Sequence, residues 1–93
     1  MLPEKEVETA LIRAIRKQGG LCLKLVCPGW SGAPDRLCLW SGGHIAFVEV
    51  KKPGGKPRPL QEKRLQELRG LGFTAVVVDN KKVAAQFGGG EHA

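Results

Sequence analysis

Residues 32–51 read GAPDRLCLWSGGHIAFVEVK, and the fold turns on how this stretch pairs with itself. It has the pattern of two strands joined at Ser41-Gly42-Gly43, with Asp35 opening the first and Glu49-Val50-Lys51 closing the second. With those three residues as the loop, Trp40 lies opposite His44, Leu39 opposite Ile45, Leu37 opposite Phe47 and Asp35 opposite Glu49. A glycine in third loop position suits the left-handed backbone that such loops need. This register gives one face that is apolar along its length and ends in two facing carboxylates. A two-residue turn would instead set Asp35 opposite Val50 and Arg36 opposite Glu49, mixing apolar and polar groups on both faces. The three-residue loop is the better reading.

Directly opposed side chains have Cβ atoms roughly 4.5–5.5 Å apart, a separation at which two carboxylates can share a hard cation. Lys51, two residues beyond Glu49, points to the same face. Facing like charges repel unless something positive lies between them. The plain alternative is a pair of exposed strand ends with Lys51 as a salt-bridge partner. Apolar strands, a turn that suits the register and a basic loop that follows at once favour a site.

The 93 residues make one domain with one core. With 42% hydrophobic and 26% charged residues, the composition is that of a globular protein. Fifteen Lys and Arg against nine Asp and Glu leave a net charge of +6, which suits a polyanionic partner. Cys22, Cys27 and Cys38 form no CxxC pair and are odd in number, so a reduced, cytosolic protein without structural zinc is expected. No signal-like apolar run opens the chain and no segment reaches membrane-spanning length.

Residues 4–18 read as an amphipathic helix, with Val7, Ala10, Leu11, Ala14 and Ile15 on one face and Gly19-Gly20 as its stop. Glu8 lies at the edge of that face, where a solvated first-turn carboxylate is the simple reading. Residues 21–26 alternate as a strand. Lys24 either snorkels to an edge or points toward phosphate. Residues 27–33 (CPGWSGA) form a turn-rich loop whose Trp30 either covers the end of the core or stacks on a base. Residues 51–59 (KKPGGKPRP) are expected to be a mobile cationic loop, with Lys52, Lys56 and Arg58 placed to grip phosphates. A second helix over 59–69 buries Leu60, Leu65 and Leu68, aims Gln61 inward, and carries Lys63 and Arg64. Residues 73–78 (FTAVVV) read as a strand covered on both faces, 81–87 as a short helix, and 88–93 as a disordered tail. The order α-β-β-β-α-β-α describes a small α/β domain, a mixed four-stranded sheet flanked by helices.

Gly32-Ala33-Pro34-Asp35-Arg36, followed after Val48 by Glu49-Val50-Lys51, resembles the PD-(D/E)xK nuclease signature. More narrowly, residues 4–79 resemble the VRR-NUC (virus-type replication-repair nuclease) family in its stand-alone form. Glu8 in the early helix, Gly20 before the strand bearing Lys24, the GxPD turn, the ExK strand end and Gln61 near the next helix start complete the likeness. The resemblance implies a restriction-endonuclease-like fold over residues 1–87 and a metal-dependent DNA endonuclease. It implies that Asp35, Glu49 and the Val50 backbone carbonyl hold Mg²⁺ or Mn²⁺, with Glu8 reaching the ion through water or supporting a second metal. Lys51 would act on the attacking water and the phosphate, and Gln61 would position Lys51 or the nucleophile. Lys24, Lys52, Lys56, Arg58, Lys63 and Arg64 would bind DNA. By the same analogy the substrate is branched DNA such as a Holliday junction, with plain duplex not separated from it by sequence. The expected protein is a homodimer, with the first helix and the Trp30 loop as contact regions, in a bacterial or phage-infected cytoplasm. The rival reading is a non-catalytic basic nucleic-acid-binding module. A nucleotide-binding protein or another hydrolase finds no support, because the chain has no Walker loop, no GxSxG and no useful Cys/His pairing.

Overall fold

The computed structural model describes residues 3–89. Along the chain run α1 (Pro3–Lys17), β1 (Leu21–Lys24), β2 (Arg36–Trp40), a 3-10 turn (Ser41–Gly43), β3 (His44–Val50), α2 (Pro59–Gly70), β4 (Thr74–Val78) and α3 (Lys81–Gln86). The strands form one sheet in the order β1-β2-β3-β4, antiparallel across the first two pairings and parallel between β3 and β4. The parallel pair is joined through α2, as a crossover requires. This is the expected mixed α/β arrangement, in the expected order.

The hairpin register is the one read from the sequence. Trp40 pairs with His44, Leu39 with Ile45, Leu37 with Phe47 and Arg36 with Val48. Gly42 and Gly43 have φ of 83° and 79°, so two loop positions, rather than one, need the conformation that glycine adopts without strain. The main core lies on the hairpin face opposite the carboxylates. Val7, Leu11 and Ile15 of α1 and Ala84 of α3 pack on Cys38, Trp40, Ala46, Val48, Val50 and Val78. On the other face α2 sits toward β4, where Leu65, Leu68 and Ala75 are buried with Phe47 and Val77 against them. Leu21, Leu23 and Ile45 on that face stay exposed, because one helix cannot cover four strands.

Four local expectations change. Strand β1 ends at Lys24, beyond which one bond, Leu25 N–H to the Asp35 carbonyl at 2.9 Å, continues the pairing. Leu60 is 41% exposed rather than buried, since it lies in the first turn, ahead of the stretch that crosses the sheet. The 51–58 loop contains a tight turn, closed by Gly55 N–H to the Lys52 carbonyl at 2.8 Å, with Pro53 and Gly54 in its middle. At the start of the expected tail, Gly88 packs so closely on Trp40 and Gln18 that a Cβ would clash with both; residues 90–93 lie outside the described part.

Candidate active site

The β2–β3 hairpin delivers its acidic end to the side of the sheet on which α2 lies. Asp35 immediately precedes β2, and continuing the register by one step sets it opposite Glu49. Its Oδ2 accepts the Val50 N–H at 3.0 Å, locking the carboxylate across the strand end. In an extended strand a residue's N–H and C=O face the same edge, so the Val50 carbonyl looks toward Asp35 as well.

Glu49 is 1% exposed, the one buried charged residue among those described. Its Oε2 accepts Gln61 Nε2 at 2.9 Å and lies 3.2 Å from Lys51 Nζ. Its Oε1 is buried without a hydrogen-bond partner. Burial, and after it the Asp35 charge, pushes the Glu49 carboxyl above its ordinary range, and Lys51 offsets this only in part. A buried oxygen with nothing to bind, beside a second carboxylate, is costly unless a cation completes the site.

These residues fit a small hard cation. Two carboxylates and one carbonyl are the kind of oxygen set that Mg²⁺ accepts while keeping several waters. No group of three or more His, Cys, Asp or Glu side chains that could hold a metal occurs among the described residues, so any such ion relies on this sparse set.

Gln61 faces inward from the first turn of α2, as its spacing from Leu65 and Leu68 implied. Its Oε1 accepts the Arg58 N–H at 2.8 Å, which fixes the amide with Nε2 toward Glu49. Lys51, with an 18% exposed side chain, is held between that carboxylate and the turn, where a Cβ on Gly55 would lie 3.3 Å from Lys51 Cβ.

Glu8 is not brought to the carboxylate pair. Its Oε2 lies 3.0 Å from Arg36 Nη2 and its Oε1 3.5 Å from Lys5 Nζ. Burial raises its pKa, but Arg36 and then Lys5 outweigh this and hold the carboxyl below its ordinary range. The reason is parity. Arg36 follows Asp35 by one residue and so points to the α1 face, where Glu8 finds it. Sequence reasoning passed over Arg36, although its place next to Asp35 on a strand was the available signal.

Among the expected DNA contacts, Lys24, Lys52, Lys56, Arg58 and Lys63 are exposed. Arg64 is turned inward, its side chain 17% exposed, with Nε donating to the Ser31 carbonyl and Nη1 to Glu67, both at 2.7 Å. Its guanidinium carbon lies 4.9 Å from the centroid of the Trp30 ring, and Trp30 covers the Leu65 cluster.

The family model of the VRR-NUC domain matches residues 3–82. This chain belongs to the VRR-NUC family. It is 39% identical over 85 residues to "Putative nuclease p44" of Acyrthosiphon pisum secondary endosymbiont phage 1, covering 91% of each sequence. A solved VRR-NUC domain superposes with a TM-score of 0.86 at 34% identity, over 92% of this chain and 94% of that one. A second, a VRR-NUC domain protein, shares the fold with a TM-score of 0.73 at 22% identity, over 92% of this chain and 84% of its own. In this VRR-NUC domain no helix of the described residues is long and apolar enough to cross a membrane.

Proposed function

We propose that this VRR-NUC domain is a metal-dependent DNA endonuclease, with branched DNA such as a Holliday junction as the favoured substrate. The observation that carries the reading is Glu49: a buried carboxylate with an unpartnered oxygen, facing Asp35 and flanked by Lys51, in a family of nucleases. Asp35, Glu49 and the Val50 carbonyl would hold Mg²⁺ or Mn²⁺. When bound, such an ion supplies Lewis acidity at a phosphate oxygen and a water of lowered pKa. Lys51 offsets negative charge developing on the phosphate and orients the attacking water. Gln61 fixes the Glu49 carboxylate and through it Lys51. Glu8, held by Arg36, is not used as a direct ligand. Lys52, Lys56, Arg58 and Lys63 border the site from the loop and α2, and their charge suits the backbone on either side of a cut. Lys24 is exposed on the edge strand at the same end of the hairpin, opposite Arg36.

One site of this kind cuts one strand, so paired cuts at a junction require two chains, most simply about a two-fold axis. The exposed stripe of Leu21, Leu23 and Ile45 supports a homodimer better than the two regions expected from sequence. The apolar side of α1 is consumed by the core, and Trp30 is engaged by Arg64. The odd number of cysteines, with no CxxC pair among them, suits the reducing cytoplasm of a bacterial or phage-infected cell.

The test is incubation of the purified protein with labelled linear, flap and four-way DNAs in Mg²⁺, Mn²⁺ or chelator. Cleavage that requires the ion, is strongest on the junction and disappears in Asp35→Ala and Glu49→Ala is the expected result. Binding that survives chelation, with no cleavage under any divalent ion, would establish the non-catalytic module instead. Light scattering should give twice the chain mass, and mixed dimers with Lys51→Ala should nick a junction on one strand only.

A further inference from the structure

Glu49 lies within a strand, whereas Asp35 stands one residue ahead of β2, at the end of an irregular loop, residues 27–34. The sheet holds the first carboxylate outright, whereas the second stands at its margin, held by the Val50 N–H on one side and steadied by the loop that leads into it on the other. That loop is fastened to α2 at adjacent points. Gly32, at φ +83°, lies so close to α2 that a Cβ would come within 2.8 Å of Leu60 Cγ and 3.2 Å of the Leu60 carbonyl. One helical turn later, Arg64 Nε donates to the Ser31 carbonyl at 2.7 Å while its guanidinium covers the Trp30 ring. Glu67, a further turn along, accepts Arg64 Nη1 at 2.7 Å and sets the plane of the guanidinium. Between these anchors α2 presents Gln61, which donates to Glu49. A single helix thus binds Glu49 directly and grips the loop that leads into Asp35.

We propose that Arg64 is a positioning residue for the metal site: it docks the 27–34 loop on α2 and so sets Asp35 relative to Glu49. The inference rests on the nuclease reading above and deepens it. A guanidinium suits this task because its planar fork donates in two directions while its face stacks on an aromatic ring. A lysine ammonium keeps the charge and loses the fork and the stack. That difference separates positioning from DNA binding. A phosphate contact depends mainly on charge, whereas the brace depends on the shape of the group.

The experiment compares wild type, Arg64→Lys, Arg64→Ala and Trp30→Leu. Mn²⁺ binding is measured by titration calorimetry without DNA, and junction binding is measured in chelator over a range of salt. Both Arg64 variants should bind Mn²⁺ about 10-fold more weakly, as loss of an outer support typically does. Trp30→Leu should shift in the same direction by less. The Mn²⁺ concentration for half-maximal cleavage should rise in parallel, and saturating Mn²⁺ should restore most of the rate. Junction affinity and its salt slope in chelator should match wild type. The proposal is overturned if Arg64→Lys binds Mn²⁺ like wild type, or if Arg64→Ala lowers the salt slope by about 0.9, the signature of one phosphate no longer neutralised. Should Arg64→Ala fail to fold by circular dichroism, Arg64→Lys and Trp30→Leu decide the matter alone. Wild type that binds no Mn²⁺ would overturn the nuclease reading and this proposal together. Normal Mn²⁺ binding in every variant would overturn this proposal alone.

Discussion

Replacing Gln61 by alanine removes two hydrogen bonds of unequal weight. The bond to Glu49 Oε2, at 2.9 Å, serves a carboxylate that is 1% exposed. A hydrogen bond to a charged group contributes about 1.5–3 kcal/mol, and a neutral one about 0.5–1.5 kcal/mol. The second bond, from the Arg58 N–H at 2.8 Å, is exposed and water replaces most of it. The expected loss is therefore about 1.5–3 kcal/mol, a fall in Tm of roughly 6–15 °C for a domain of this size. Thermal unfolding in chelator at neutral pH measures it. The same substitution in a Glu49→Gln background should cost only about 1 kcal/mol, because the surviving bond is then neutral. Lowering the pH should act in the same direction. Protonation of Glu49 begins above its ordinary range, so the deficit of Gln61→Ala should shrink as acid neutralises the acceptor. Equal costs in the two backgrounds, or a deficit that does not change with pH, would mean that Gln61 does not serve the charged form of Glu49.

Three further outcomes are expected. In chelator, Glu49→Gln should be more stable than wild type at neutral pH. The folded pKa of Glu49 is raised by burial and by Asp35, so its contribution is full below the unfolded value and is lost as pH rises through the folded one; the difference in Tm between variant and wild type should grow over that window. A difference that shrinks with rising pH would contradict the assignment. Lys51→Ala should abolish cleavage while lowering DNA affinity by no more than one phosphate contact, whereas Lys52, Lys56 and Arg58 changed together should lower the salt slope by about 0.9 for each phosphate they neutralise. An unchanged slope in the triple variant would remove the loop from the DNA surface. Gly32→Ala combines a positive φ with a Cβ inside contact distance of Leu60, and should destabilise the protein by at least about 1–3 kcal/mol, the cost of the strained backbone alone; calorimetric unfolding showing wild-type stability would mean that the loop yields freely.

What the sequence alone determined is the part of the site that a hairpin builds. Side chains alternate with a period of two, and Ser41-Gly42-Gly43 sets the register, so Asp35, Glu49 and Lys51 were bound to gather at one end of one face. Helix spacing likewise aimed Gln61 inward with Leu65 and Leu68, and the element order followed from the same periodicities. Tertiary structure alone decided which residues meet across elements distant in the chain. Glu8 and Arg36 are 28 positions apart in number and pair only because α1 crosses the sheet at that end. Arg64 reads as one more surface cation until the 27–34 loop folds over α2 and gives its donors a carbonyl and its plane a ring. Which face of the hairpin became the main core was also open, since both are apolar and only the packing of α1 and α3 on Cys38, Ala46 and Val48 chose between them. The division has one physical cause. Backbone periodicity fixes where a side chain points within its own element, whereas a long charged side chain can be satisfied by whichever partner the packed fold brings within reach.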